Sequence, residues 1–194
     1  MTFYPPSSPI PEFFQNENYL FRPLKTADNE LDYDAVMASK YILRKISSST
    51  WPEEGFSLAD NYEDLYRHEN DHNDRKEFTF TIIASDRSLC LGCLYIRPPP
   101  SFSHSEKTQA TVRFWVREST EAESFERRVL KDIIRWLEQS WQFITVYFQT
   151  GINASRQIEL FKSIDLKMVG DSHIDGSSEF LYFQYDIESD SKIS

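Results

Sequence analysis

Two hydrophobic periods alternate along the chain. Between Glu77 and Ala84, Phe78, Phe80, Ile82 and Ala84 share one parity and Thr79 and Thr81 the other, the period-two pattern of a strand. Asp86-Arg87-Ser88 forms a turn, Leu89–Ile96 a returning strand, and Pro98-Pro99-Pro100 ends it. Gln109–Arg117, rich in β-branched and aromatic residues, is a further strand. The period then lengthens: Phe125, Val129, Leu130, Ile133, Leu137 and Trp141 make one apolar stripe on a helix over Phe125–Trp141. Ile144–Gln149 reads as a strand followed by Gly151, and Ala154–Ile164 as a short helix. Lys167–Val169 and Phe180–Tyr185 close the pattern as strands. Upstream, Tyr19–Leu24 is a short strand, and Leu31–Ile46 a helical stretch whose apolar positions fit one face imperfectly. The run from Ser47 to Pro52 breaks it. Leu58–Asn73 is a second helix, with Ser57 as N-cap and the Asp60 carboxylate three residues on.

The order β, α, α, β, β, β, α, β, α, β, β predicts an α/β fold with a mixed sheet and helices on both faces. The helix over Phe125–Trp141 joins parallel strands, and the hairpin before it is antiparallel. Residues 18–187 read as one domain. Residues 1–17, with Pro5, Pro6, Pro9 and Pro11, read as a loose arm, and residues 188–194 as a frayed polar tail.

Charge narrows the partners. With 31 acidic and 21 basic residues the net charge is −10, which excludes a general nucleic-acid binder and disfavours an anionic membrane surface. Fifteen Phe, ten Tyr and four Trp among 194 residues exclude global disorder. Two cysteines make no disulfide framework. The start of the chain lacks a signal-peptide pattern, and no apolar run reaches the roughly 18 residues of a membrane span, so a cytoplasmic protein is expected.

Two short motifs invite chemistry. His68-Glu69-Asn70-Asp71-His72 matches the H-E-x-x-H zinc pattern, but it lies in a polar run without a third ligand at zincin spacing. Cys90-Leu91-Gly92-Cys93 matches C-x-x-C inside a strand, where positions i and i+3 face opposite ways, so both read as small apolar fillers. No metal is expected. Trp51 lies in the break between the first two helices, beside the acidic Glu53 and Glu54.

The order of elements, the words Phe78-Thr79-Phe80-Thr81-Ile82-Ile83 and Cys90-Leu91-Gly92-Cys93-Leu94-Tyr95-Ile96-Arg97-Pro98, the strand Thr111–Arg117, and the passage from Arg135 to Thr150 together resemble the GNAT superfamily of N-acetyltransferases. The likeness runs from about Tyr19 to Asp186 and is greatest to a bacterial subgroup. It implies acetyl-CoA as co-substrate, held where two parallel strands part, and an amine acceptor. The resemblance places Val116, Arg117, Ala122, Glu123, Ser124, Phe125 and Asn153 at the coenzyme, and Trp51 and Tyr95 at the acceptor.

The phosphate-binding loop departs from the superfamily's Q/R-x-x-G-x-G/A, whose glycines let backbone N–H groups approach the pyrophosphate. Ser119, Ala122 and Ser124 stand at its three signature positions, and Glu118, Glu121 and Glu123 add carboxylates. These glutamates either favour the following helix through its dipole or mark a loop that has lost its cofactor role. Arg117, Arg127 and Arg128 offset them. Phe161 stands where the superfamily's proton-donating Tyr would be, and reads as core. Glu118 and Tyr95 are the catalytic candidates, and His68, Glu77 and Glu106 are possible bases by position alone. The leading expectation is an acyl-CoA-dependent N-acetyltransferase acting on a small-molecule or peptide amine, as monomer or homodimer. The alternative is a catalytically silent GNAT-fold binding module.

Overall fold

A computed structural model describes residues 4–100, 108–119, 121–174 and 178–187 of the chain. Strands β1 (Phe14–Gln15), β2 (Tyr19–Pro23), β3 (Phe78–Ala84), β4 (Cys90–Arg97), β5 (Gln109–Val116), β6 (Thr145–Gly151), β7 (Lys167–Ile174) and β8 (Ser178–Asp186) form one sheet in the order β1-β2-β3-β4-β5-β6-β8-β7. Every pair is antiparallel except β5 and β6, which α4 (Ala122–Ser140) joins as a parallel pair. The mixed sheet inferred from the pattern is therefore present.

One face of the sheet packs on α4 and α5 (Ser155–Lys162). Val129, Leu130, Ile133 and Leu137 of α4 are fully buried there against Phe80, Leu94, Val112 and Phe148. Trp136, one residue off the predicted stripe, joins the same core, edge-on to Phe80 at 4.9 Å. Phe161 of α5 lies beside Phe114, Phe148 and Phe183, a packing residue as expected. The opposite face carries α1 (Asn29–Ala38), α2 (Lys40–Ser47) and α3 (Leu58–Asn73), whose smaller core holds Val36, Leu43, Leu65 and Trp115. At the start of α3 the capping box is as read: Ser57 Oγ accepts from Asp60 N, and the Asp60 carboxylate accepts from Ser57 N at 2.8 Å.

Three local expectations change. The single helix expected over Leu31–Ile46 is two helices broken at Ser39, which explains the imperfect apolar face. The buried Ser39 hydroxyl turns away from the helix to accept the Glu118 N–H at 3.0 Å, tying the break to the end of β5. The N-terminal arm is anchored rather than loose. Tyr4 is buried among Phe78, Trp141 and Phe143, Arg75 holds the carbonyls of Pro5 and Ser8, and β1 extends the sheet. Finally, Leu91 is an extra residue in β4, because Gly92 pairs with Ile82 while Cys90 pairs with Ile83. Gly92 sits at φ +147°, and a Cβ there would lie 2.1 Å from the Trp115 carbonyl oxygen. This bulge inverts the parity of the strand, so Cys90 and Cys93 share one face and one core, contrary to the prediction from regular alternation.

Glu106 and His104 lie outside the described residues, as do Thr120 and the tail 188–194.

Candidate active site

A cavity of about 230 Å³ lies between the sheet and the α1–α3 face. Its floor is Tyr95 and Arg97 of β4 with Arg113 and Trp115 of β5, and its walls include Val36, Leu43, Trp51, Leu65 and His68. Trp51 and Tyr95, far apart in sequence, thus line one space. Trp51 Nε1 donates to Asp64 Oδ2 at 3.2 Å, and Trp115 Nε1 donates to the Tyr95 hydroxyl at 3.2 Å. Burial pushes the Tyr95 phenol well above its ordinary pKa, so it stays protonated.

His68 is the cavity residue best equipped to move a proton. Its Nδ1 lies 2.6 Å from Glu77 Oε1. Burial alone would raise the Glu77 pKa, but the bond from His68 and the charges of Arg97 and Arg67 pull it down to about 2. An ionised carboxylate only accepts, so Nδ1 carries a proton, and in the neutral ring Nε2 is the nitrogen left to accept one. Arg67 Nη2 lies 3.2 Å from Nε2. The side chains meet because α3 runs directly into β3, bringing residues 68 and 77 back alongside each other. Both positions are candidates from sequence, and only the fold pairs them. The H-E-x-x-H segment, expected in a polar run outside a buried helix, has His68 and His72 both buried. His72 packs edge-on to Phe78 and Phe80 with Nδ1 near the Thr79 carbonyl, and Glu69 accepts the Thr26 N–H. Each member of the motif therefore has its own protein partner.

Asp32 of α1 reaches the same cavity with only 3% of its surface exposed. Burial lifts its pKa to about 6, against the opposing hydrogen bonds from Asn61 and Cys93. Cys93 Sγ lies 3.3 Å from Asp32 Oδ1, and the ligand atoms of Asp32, Cys90 and Cys93 fall within 4.8 Å of one another. The neighbouring Cys90 thiol and burial push the Cys93 pKa up, so the Cys93 thiol stays protonated.

Beside this cavity the two parallel strands part. Pairing of β5 with β6 runs from Gln109↔Thr145 to Val112↔Phe148 and stops, although both strands continue. Arg117 N bonds Leu91 O across to β4, so the ladder's alternation turns the peptide groups of Phe114 and Val116 toward the gap. Gln157 Nε2 takes the Phe114 carbonyl at 3.1 Å, and also donates to Glu126 Oε1. On the β6 side, Gly151 lets the end of α2 come close: a Cβ there would lie 2.1 Å from the Lys45 carbonyl oxygen.

The loop residues singled out in the sequence cluster at the mouth of the gap. Ala122 is buried, Glu123 and Ser124 are exposed on the first turn of α4, and Ser124 Oγ donates to the Glu121 carbonyl. Phe125 packs edge-on to Tyr19, and Arg128 lies over its ring. Arg117 pairs with Asp34 at 2.7 Å. Asn153 is exposed after β6. Glu118 lines a different cavity from His68 and Tyr95; Arg156 holds it at 3.0 Å and holds the buried Glu126 at 2.9 Å. Burial raises the Glu126 pKa, with Arg156 opposing it. Arg156, Arg127 and Ser155 also line a 550 Å³ cleft between α4 and α5.

No family model matches the chain, and no curated protein matches it in sequence. Solved structures do match. A ribosomal L7/L12 α-N-protein acetyltransferase, RimL, in complex with coenzyme A is 11% identical with a TM-score of 0.73, over 92% of this chain and 100% of that one. A ribosomal-protein-S5-alanine acetyltransferase from Vibrio fischeri is 12% identical with a TM-score of 0.71, over 92% and 98%. The microcin C7 self-immunity acetyltransferase MccE, with acetyl-CoA and AMP, is 12% identical with a TM-score of 0.70, over 89% and 94%. The parted parallel pair, the helices on both faces and this likeness over nine-tenths of the chain together give it the GNAT fold of N-acetyltransferases.

Proposed function

We propose that the protein is an acyl-CoA-dependent N-acyltransferase that moves an acetyl group from acetyl-CoA to an amine on a small molecule or peptide. The observation that carries this reading is the juxtaposition of a parted strand pair with a cavity in which Glu77 orients His68. Similar folds that act as acetyltransferases support it.

The residues present suit such a co-substrate. The Val116 peptide group faces the gap and suits an extended arm bearing amides. Arg127, Arg128 and Arg156 offset the glutamates at the mouth, where phosphates would lie. Glycine is not needed where arginine side chains rather than close backbone approach hold the anion. When bound, the co-substrate supplies an activated acyl group as a thioester. His68 Nε2 takes the proton that the amine must lose, and Glu77 holds the ring in the required tautomer. Trp51, Trp115 and Tyr95 supply an apolar surround that keeps the amine from being swamped by water.

Thermal unfolding with and without acetyl-CoA tests the co-substrate. A ligand at about 100 times its Kd adds roughly 2.7 kcal/mol of stability. Release of free thiol on adding an amine panel then tests the reaction. The expected result is a stabilising shift, with turnover reduced by roughly 100-fold or more in His68→Gln while the shift persists. Absence of a shift at millimolar acetyl-CoA overturns the reading.

A further inference from the structure

Most of the charges around the cavity are paired. Arg67 lies 3.5 Å from Asp64 and 3.9 Å from Glu77, and Arg97 lies 3.1 Å from Glu77. Among the described residues, two charges are not. Among these residues, Asp32 receives its hydrogen bonds from the neutral Asn61 and Cys93. Arg113 donates through Nη2 to the neutral Gln149 Oε1 at 2.6 Å and lies 4.7 Å from the Phe180 ring centroid, and its Nε is buried without a partner. Gln149 spends its own amide on the Tyr182 hydroxyl. These two groups have opposite charge and line the same cavity, yet they form no ion pair with each other.

A buried charge lacking a counter-ion is costly, and each group's pKa shows it. Burial pushes Asp32 up to about 6 and Arg113 down to about 10, which leaves both ionised at pH 7. The amide oxygen of Asn61, Oδ1, is also buried there without a partner among the described residues. Such groups persist where a ligand completes them.

We infer that the acceptor is an amine that carries an anionic group, a carboxylate or a phosphate, on the same molecule, with its amine end toward Asp32 and His68 and its anion on Arg113. Arg113 is the residue just past Val112, where β5 leaves β6, so the anion would fix the acceptor at the edge of the gap. The guanidinium presents a planar fork suited to either anion. The amine half of this inference rests on the proposed N-acyltransferase reading. The anion half stands on Arg113 alone.

Calorimetry on the full chain, without acetyl-CoA, separates the two. The probes are glycine, γ-aminobutyrate and phosphoethanolamine, set against the matched non-anionic amines glycinamide, γ-aminobutyramide and ethanolamine. At least one anionic amine is expected to bind tenfold or more tightly than its counterpart, and the carboxylate and phosphate arms identify which anion is preferred. Arg113→Gln should erase that ratio and leave the weaker binding of the non-anionic amine in place, with Arg113→Lys restoring part of it. Equal binding of each matched pair, or no binding by any probe, overturns the inference, and this comparison needs no variant. An Arg113→Gln protein that loses both members of a pair equally also overturns it. Turnover with acetyl-CoA is read separately: anion preference without turnover sinks the acyltransfer reading, whereas amides acetylated as well as carboxylates sink the anion site alone.

Discussion

Glu77→Gln removes one charge while keeping the side chain's shape, and its consequences can be worked out in advance. Glu77 accepts from His68 and lies near Arg97 and Arg67, and its side chain is only 15% exposed. These neighbours pull its carboxyl down to about 2 in the folded protein, from an ordinary value of 4.5. At about 1.36 kcal/mol per unit, that depression corresponds to roughly 3 kcal/mol of stability at pH 7. The sign follows from the direction: a depressed carboxylate stabilises fully above its unfolded pKa, and the contribution is lost as pH falls through the folded value. At pH 3 about 1.4 kcal/mol should remain. Urea unfolding of wild type and variant at pH 7 and pH 3 measures both differences. For a chain of this size, about 3 kcal/mol at pH 7 also means a Tm lower by roughly 6–12 °C. A gap between wild type and variant that is equal at both pH values would refute the electrostatic account, as would no gap at pH 7.

Asp32→Asn should act in the opposite sense. A buried carboxyl titrating at about 6 destabilises the folded state as pH rises from 3.8 through 6, so its removal should add roughly 2–3 kcal/mol above pH 6 and nothing below pH 4; denaturation at pH 3.5 and pH 7.5 checks this. The same variant should bind the anionic amines more weakly, a trade of stability against function. Gly92→Ala must accommodate both a positive φ and a 2.1 Å approach to the Trp115 carbonyl, so it should cost at least about 2–3 kcal/mol, visible in the same unfolding assay. In the native protein neither Cys90 nor Cys93 should react with iodoacetamide, while both should in 6 M guanidinium, because each is 1% exposed; mass spectrometry reads the two states.

The legible parts of this fold were those set by local chemistry. The Ser57–Asp60 cap, the alternation over β3 and the stripe on α4 each arise within a few residues, and each stands in the structure. What the sequence hid depends on one residue altering what surrounds it. Leu91 adds a single position to β4 and so reverses the facing of every residue before it, which alternation counted from Cys90 to Cys93 misses. Ser39 reads as a tolerable helix residue until Glu118, 79 positions away, supplies the N–H it accepts. Strand β1 is two residues long and has no period to detect. At the site, Trp51 and Tyr95 are expected at one cleft, and both stand in the lining of one cavity. The pairing of His68 with Glu77 needed the turn from α3 into β3, and the lack of an ion pair at Arg113 among the described residues shows only in the folded chain.

The anchored arm has a consequence for how the chain is made. Tyr4 packs against Trp141 and Phe143, so this side chain is made about 140 positions before the partners it packs on. Until then, the hydrophobic slot between β3 and the end of α4 lacks its plug, and the arm remains an open aromatic segment. A chain arrested before residue 141 should be held by chaperones and cut readily around Tyr4, while the chain extended through β8 should resist both. The segment around Tyr4 is therefore a late-closing piece of the core, although it is early in the chain.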